Sequence, residues 1–334
     1  MKLIIPENYT SKLDIKTTEI AINQIKDCFE KTLAKVFNLK KVSAPLFVST
    51  ESGINDNLNG PEKPVVFNIA SINKDVEIVH SLAKWKRYAL KKYEFTYDEG
   101  LYTDMYSIRQ NEELDNLHSV FVEQWDWEKI ILKSERNLET LKNTVSQIFR
   151  VLKIVESYIY DVYPILTKFL PDEIKFITTS KLMEMYPDLT PRQREEVITK
   201  EYKAVFIMQV GDTLPNGEKH GERAPDCDDW SLNGDLLVWF PVLNCSLEIL
   251  SMGIRVDEKS LLYQLEKANC PERKELPFHK AVLNNELPYT IGGGIGQSRV
   301  CMVLLGKAHI GEVQPSVWPN EIVERCKYSN IRLL

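Results

Sequence analysis

The stretch Gly292-Gly293-Gly294-Ile295-Gly296-Gln297-Ser298-Arg299 limits this chain more than any other. Four glycines in five positions leave a backbone almost bare of Cβ atoms, so its N–H groups can come close to an anion. An apolar run follows at once, Val300-Cys301-Met302-Val303-Leu304-Leu305, with the composition of a buried helix. The pattern predicts a loop that opens onto a helix N-terminus, where unpaired N–H groups and the helix dipole favour negative charge. Arg299 falls in the first turn of that helix, a poor place for a cation, so it needs an anionic partner, and a polyphosphate would suit. Two familiar phosphate loops do not fit. A G-x-G-x-x-G frame from Gly292 meets Gln297 where its last glycine belongs, and a Walker A frame puts Gln297-Ser298 where Gly-Lys belongs. Taken alone, the run is explained equally well by a tight turn ahead of a core helix.

Bulk properties narrow the classes. A chain of 334 residues can bury about 75% of its unfolded surface and needs no covalent staples. Its net charge of −6 argues against nucleic acid as a partner, since that footprint is usually a basic patch. The six cysteines (Cys28, Cys227, Cys245, Cys270, Cys301, Cys326) form no C-x-x-C pair and have no histidine at zinc spacing. They read as free thiols of a reducing compartment. No leader of signal-peptide pattern and no apolar run of about 18 residues occurs, so the expected location is the cytoplasm, away from membranes.

Helical spacing of Ile22, Ile25, Phe29, Leu33, Val36 and Phe37 predicts a helix over residues 17–39. Residues 41–49 read as extended, with Pro45 restricting them to an edge, a bulge or an interface. Residues 65–71 and 77–80 alternate like strands, 81–91 suggest a short basic helix, and 119–125 are rich in strand formers. A long helix fits 135–160, with Leu138, Leu141, Val145, Ile148, Leu152 and Val155 on one face. Thr190-Pro191 opens another helix, as N-cap and first helical residue. Strands are expected at 204–210, 236–240 and 247–256, a hairpin tip at Pro215-Asn216-Gly217, and helices at 258–268 and 277–284. Strands come in runs and long helices stand apart, which favours an α+β fold with antiparallel pairing in one domain spanning residues 1–334.

Four groups of residues could carry chemistry. Asp235 starts one expected strand and Glu248 lies in the next; two such carboxylates can hold Mg²⁺, which takes one or two of them plus substrate phosphates. Arg255 lies further along the second strand. Arg109 precedes the run Gln124-Trp125-Asp126-Trp127-Glu128, and a strand, polar loop and returning strand would hold Arg109 and Asp126 over one pocket. The guanidinium fork of arginine suits phosphate. A half-buried edge with a solvated Asp126 would account for the Trp-Asp-Trp run as simply. His80-Ser81-Leu82-Ala83-Lys84-Trp85-Lys86-Arg87 offers a hydroxyl and several cations, although such a basic helix face is usually just solvated. His118, His220, His279 and His309 do not cluster, and Asp56 sits in a polar loop.

Together these pieces resemble class II aminoacyl-tRNA synthetases: Pro45 in its extended segment resembles their first motif, residues 109–128 the second and residues 292–299 the third. More closely, the chain resembles the ammonia-dependent asparagine synthetases, the aspartate–ammonia ligases, in runs 80–87, 100–103, 124–128, 223–226, 251–256 and 290–299. The likeness covers nearly all of residues 20–320. It implies a class II catalytic core, a mainly antiparallel sheet flanked by helices, and a homodimer with Pro45 at its two-fold interface. It also implies a ligase that makes L-asparagine, AMP and pyrophosphate from L-aspartate, ATP and ammonia through aspartyl-adenylate. Carried onto this sequence, the family places Arg109 on the α-phosphate and Arg299 on the β- and γ-phosphates. Asp235 and Glu248 take Mg²⁺ with Ser251 nearby. Asp228, Arg255, Gly294 and Gly296 border the nucleotide. Ser81, Lys86, Gln124 and Asp126 grip aspartate, and Asp56 lies beside its amino group or the ammonia. Val122 stands where class II synthetases usually stack an aromatic on adenine, so apolar contact is expected in its place.

Two alternatives remain from other classes. An aspartyl- or asparaginyl-tRNA synthetase would carry an anticodon-binding barrel and basic surfaces, but the motifs begin near residue 40 and the net charge is negative. A non-catalytic paralogue would commonly lose a phosphate-binding arginine or a metal carboxylate, and Arg109, Asp235, Glu248 and Arg299 are all present. A glutamine-dependent enzyme would need an amidotransferase domain, so ammonia is the expected donor.

Overall fold

The structure is a computed structural model that describes residues 3–55 and 62–334. In chain order its strands are β1 (Leu39–Lys41), β2 (Phe47–Ser49), β3 (Val66–Ile69), β4 (Lys74–Ile78), β5 (Gly100–Ile108), β6 (Phe121–Ile130), β7 (Lys175–Thr178), β8 (Ala204–Met208), β9 (Asp228–Phe240), β10 (Cys245–Arg255) and β11 (Thr290–Gly296). Its helices are α1 (Ile15–Phe37), α2 (Ala83–Lys92), α3 (Leu138–Val162), α4 (Thr179–Met185), α5 (Pro191–Tyr202), α6 (Glu258–Lys267), α7 (Pro277–Leu283), α8 (Gln297–Leu305) and α9 (Asn320–Tyr328). An eight-stranded sheet runs β1-β5-β6-β11-β10-β9-β8-β7, and β2-β4-β3 form a small second sheet. Within the large sheet only β1–β5 and β7–β8 pair in parallel. This is the mainly antiparallel α+β architecture expected.

Local chemistry explains the main elements. Asp14 caps α1 by accepting from the Thr17 N–H at 2.8 Å, and Asn38 ends it at a φ of 54°, a left-handed conformation asparagine tolerates. Thr190 and Gln193 form the capping box of α5, with Pro191 as its first residue, as the sequence predicted. Ile22, Ile25, Phe29, Leu33 and Phe37 line the buried stripe of α1. Along β6 the pleat sends alternate side chains to opposite faces. Trp125 stacks on Phe29 at 4.1 Å and Trp127 on Phe37 at 5.4 Å. Gln124, Asp126 and Glu128 therefore point to the other face. Leu236, Val238 and Phe240 of β9 join the same core as the tryptophans, which leaves Asp235 to the face of Asp126.

Several expectations need correction. The glycine run is not a loop: it is strand β11, paired with β10 on one side and β6 on the other. Its bareness serves close packing. A Cβ on Gly293 would meet the Ser251 carbonyl at 2.5 Å, and one on Gly294 the Gln124 Oε1 at 2.6 Å. The chain does enter α8 directly afterwards, as predicted. Residues 41–49 are not one strand; β1 and β2 belong to different sheets, and Pro45 lies between them. The strand expected at 236–240 starts at Asp228, because its first half is rich in polar residues that hide the strand pattern; Asp228 and Asp235 line a cleft. Trp125-Asp126-Trp127 is an interior strand segment and Asp126 is buried. The basic turn of α2 is buried too, not solvated: Lys84, Lys86 and Arg87 are at most 5% exposed. Strand β7 and helices α4 and α9 lie where no element was expected.

Candidate active site

Register builds the site. One row of residues crosses four strands: Asp235 pairs with Ser251, Ser251 with Gly294, and Gly294 with Asp126. A neighbouring row sets Gly253 against Gly292 and Gly292 against Glu128. These rows thus carry carboxylates on β6 and β9, with Ser251 and glycines between them, and the bare glycines leave room for the Gln124, Asp126 and Glu128 side chains. A cleft in two adjoining lobes lies over this face.

The first lobe, about 300 Å³, is highly charged, with Lys86, Arg109, Asp126, Arg223, Asp235 and Glu248 among its walls. Lys86 Nζ lies 2.9 Å from Asp126 Oδ2 and donates to the Trp127 and Gly293 carbonyls at 3.1 and 3.2 Å. Ser81 lines the lobe and its hydroxyl accepts from the Ala83 N–H at 3.2 Å. Behind them, Arg255 Nε and Nη2 reach the two Glu128 oxygens at 2.9 and 2.8 Å, and its Nη1 holds Asp228. Burial alone would raise the Glu128 carboxyl, but Arg255 and Lys86 hold it below the usual range. Asp228 and Arg255 therefore line the charged lobe and are largely committed to each other, away from the lobe that Val122 walls.

The second lobe, about 290 Å³, is walled by Val122 and Ile249 and edged by Gly296 and Arg299. Leu117, Phe121 and Ile310 add apolar surface. Such a slot could take a flat base, and Val122 lies in its wall. Arg109, Gln124, Glu248, Ser251 and Gly294 border both lobes. Arg299 donates to the Glu248 carbonyl at 2.9 Å. Burial and the nearby Arg109 lower its proton affinity, so two guanidinium groups share one cleft, where an anion would relieve their repulsion.

Asp235 and Glu248 fit a magnesium site. Enclosing cleft walls, then Asp235, push the Glu248 carboxyl above the ordinary range, although its surface opens to the cleft. A divalent cation is the natural relief for such a pair. Among the described residues no cluster of three or more His, Cys, Asp or Glu side chains suits a metal ion. Two carboxylates completed by substrate phosphates match magnesium's habit.

Sequence reasoning named most of these residues but gave Arg223 no role. Its Nη2 donates to Asp235 Oδ1 at 2.6 Å and its Nη1 to Ser251 Oγ, within a run noted only for its family likeness. His80 was noted only as part of the run 80–87; it is buried against the charged lobe. Asp56 lies outside the described residues. The other histidines have separate partners: His118 bonds Asp115 at 2.9 Å and His279 bonds Asp226 at 2.9 Å. Among the described residues no helix is long and apolar enough to cross a membrane, and none of the six cysteines is in a disulfide.

The family described as Aspartate-ammonia ligase matches residues 16–330. An aspartate–ammonia ligase of Ruminiclostridium cellulolyticum is 61% identical over 99% of both chains. One of Clostridium tetani is 60% identical over 100% of this chain and 98% of its own. Among solved structures, asparaginyl-tRNA synthetase of Entamoeba histolytica is similar with a TM-score of 0.62 at 15% identity, over 90% of this chain and 67% of its own. The asparaginyl-tRNA synthetase of Pyrococcus horikoshii, complexed with asparaginyl-adenylate, gives 0.62 at 15% identity, over 91% and 70%. These two likenesses concern the class II fold alone.

Proposed function

The chain belongs to the aspartate–ammonia ligase family, and from that premise we propose that its two-lobed cleft is where the reaction runs and which side chains run it. The enzyme is a ligase that joins ammonia to L-aspartate to give L-asparagine, at the expense of ATP, through aspartyl-adenylate. Aspartate fits the charged lobe. Lys86 and Ser81 offer positive charge and a hydroxyl to its carboxylates, and Gln124 and Asp126 can receive its ammonium group. Adenine fits the apolar lobe against Val122, with Gly296 beside it. The observation that carries the assignment is Arg109, which borders both lobes. There the side-chain carboxylate of aspartate must meet the α-phosphorus. Its attack forms a C–O–P link and expels pyrophosphate, and ammonia then displaces AMP.

Nucleotidyl transfer of this kind needs positioning and charge neutralisation more than a dedicated base. Arg109 neutralises the α-phosphate. Arg299, with Arg223 in reserve from the other wall, holds the leaving pyrophosphate. Asp235 and Glu248 would hold Mg²⁺, which supplies further neutralisation of the phosphate oxygens. Asp228 and Arg255 set the shape of the floor beneath. We read the chain as one catalytic domain, placed in the cytoplasm. We further read it as a homodimer through the small sheet, where Leu46, Phe47, Val66 and Phe67 leave apolar surface exposed.

The deciding experiment incubates the protein with ATP, Mg²⁺, aspartate and ammonium and follows AMP and asparagine together. Equal yields of the two are expected. ADP instead of AMP, equal rates with glutamine in ammonia-free stocks, or transfer of aspartate to tRNA would each overturn the scheme.

A further inference from the structure

A small side cavity of about 80 Å³ adjoins the charged lobe. Glu62, Lys63, Arg109 and Glu112 line it, and His80 with Glu62 and Arg109 forms the wall it shares with the lobe. The lobe beside it measures about 300 Å³, so the side cavity suits small polar molecules such as ammonia and water. His80 is 2% exposed, and neither ring nitrogen makes a hydrogen bond of good geometry. Its backbone N–H donates to Asn55 Oδ1 at 2.8 Å, which fixes the chain where β4 runs into α2. Buried polar groups normally find partners, and the ring has only a weak one in the Ile108 carbonyl, so the nitrogen left over at the junction of two polar cavities points to a transient partner.

We propose that the side cavity is the way in for ammonia and that His80 accepts the proton the attacking nitrogen gives up. The proposal deepens the asparagine-forming reading and rests on it. Ammonia's lone pair forms the new bond to the side-chain carbonyl carbon of aspartyl-adenylate, and the carbonyl π pair moves to oxygen. The nitrogen, now cationic, becomes strongly acidic, and an imidazole nitrogen takes its proton. As the pair on oxygen returns, the bond to the phosphate oxygen breaks and AMP leaves with its electrons. The imidazolium passes the proton to water.

The surroundings suit this role. Burial and then Arg109 lower the His80 pKa below its ordinary value, with Glu62 and the Ile108 carbonyl acting in the opposite sense. The ring is therefore neutral near pH 7 and has a lone pair to offer. Glu62 and Glu112 offset the Lys63 and Arg109 charges along the cavity, and beside the ring Arg109 disfavours a second cation, so ammonia reaches that point in its neutral form.

The test uses the full chain with His80→Gln and His80→Ala. Amidation is measured against free ammonia, alongside aspartate-dependent ATP–pyrophosphate exchange, which reports adenylate formation alone. With the base gone, kcat/KM for ammonia falls ~10²–10⁴-fold while exchange stays within about threefold of the parent. Plotted against free ammonia, the parent's rate drops at acid pH as His80 takes up a proton, and that drop vanishes in the variants. Equal losses in both assays would mean that His80 only supports the fold, and would overturn the proposal. So would amidation within threefold of the parent. A parent protein that forms no asparagine would instead overturn the underlying reading.

Discussion

Arg255 holds both carboxylate oxygens of Glu128, at 2.9 and 2.8 Å, in a part of the sheet closed to water. The pair lies directly under the charged lobe, and Gly292 is bare because its neighbour Glu128 fills the space a side chain would need. Removing one partner of such a pair strands the other charge. Glu128→Gln should lower stability by about 3 kcal/mol, read from the midpoint of denaturant unfolding. A loss below about 1 kcal/mol would show that Asp228 alone compensates Arg255.

Arg299→Ala should cut turnover by roughly 10²–10³-fold, the scale of losing one charge-stabilising donor. Among the described residues its guanidinium donates a hydrogen bond only to the Glu248 backbone carbonyl, so the circular dichroism and melting curve should be unchanged. Near-normal turnover would count against its place on the phosphates.

Glu248 gives a pH dependence. Its carboxyl is raised, by the enclosing walls and then by Asp235, so the folded protein keeps a proton that the unfolded chain has released. Between the ordinary carboxylate value and the raised one, metal-free stability therefore falls as pH rises. Glu248→Gln should make the metal-free protein more stable than the parent at neutral pH and raise the Mg²⁺ concentration needed for activity. Melting curves at pH 5 and 7.5 without metal check the first half; a variant that is less stable at both would refute it.

Gly294→Ala places a methyl 2.6 Å from Gln124 Oε1 and 2.9 Å from Asp126 Oδ1. Gln124 must swing away, and the KM for aspartate should rise about tenfold, a loss near 1.4 kcal/mol. The KM for ATP should move far less. Equal effects on both substrates would place aspartate elsewhere in the cleft.

The small sheet predicts assembly. Phe47 and Phe67 meet edge to face at 5.4 Å, and both stay exposed. Sedimentation at micromolar concentration should give a dimer, and Leu46→Glu with Phe67→Glu should give a monomer, since a two-fold contact doubles each introduced charge. A parent that sediments as a monomer would refute the interface.

Much of this was legible in the chain itself. The stripe of α1, the capping box at Thr190 and Gln193 and the short segment from Gln297 to Leu305 follow from local spacing and local hydrogen bonds, which tertiary packing leaves in place. Arg109, Asp235, Glu248 and Arg299 could be named as candidates because side-chain chemistry survives in the sequence, and all four line the cleft. The glycine run was misread because the absence of Cβ atoms looks alike in a loop and in a strand squeezed between polar neighbours. Only the carboxylate of Glu128 and the backbone of β10 show which it is. The buried state of Lys84, Lys86 and Arg87 was equally hidden: a basic helical turn is solvated unless acceptors from distant strands surround it. Arg223 and His80 acquire meaning only beside Asp235 and Arg109, far away along the chain. Local order set the elements and the supply of charges. Strand register, a long-range choice made by packing the tryptophan face against α1, decided which charges meet, because shifting one strand by one residue would turn Asp126 into the core and Trp125 into the cleft.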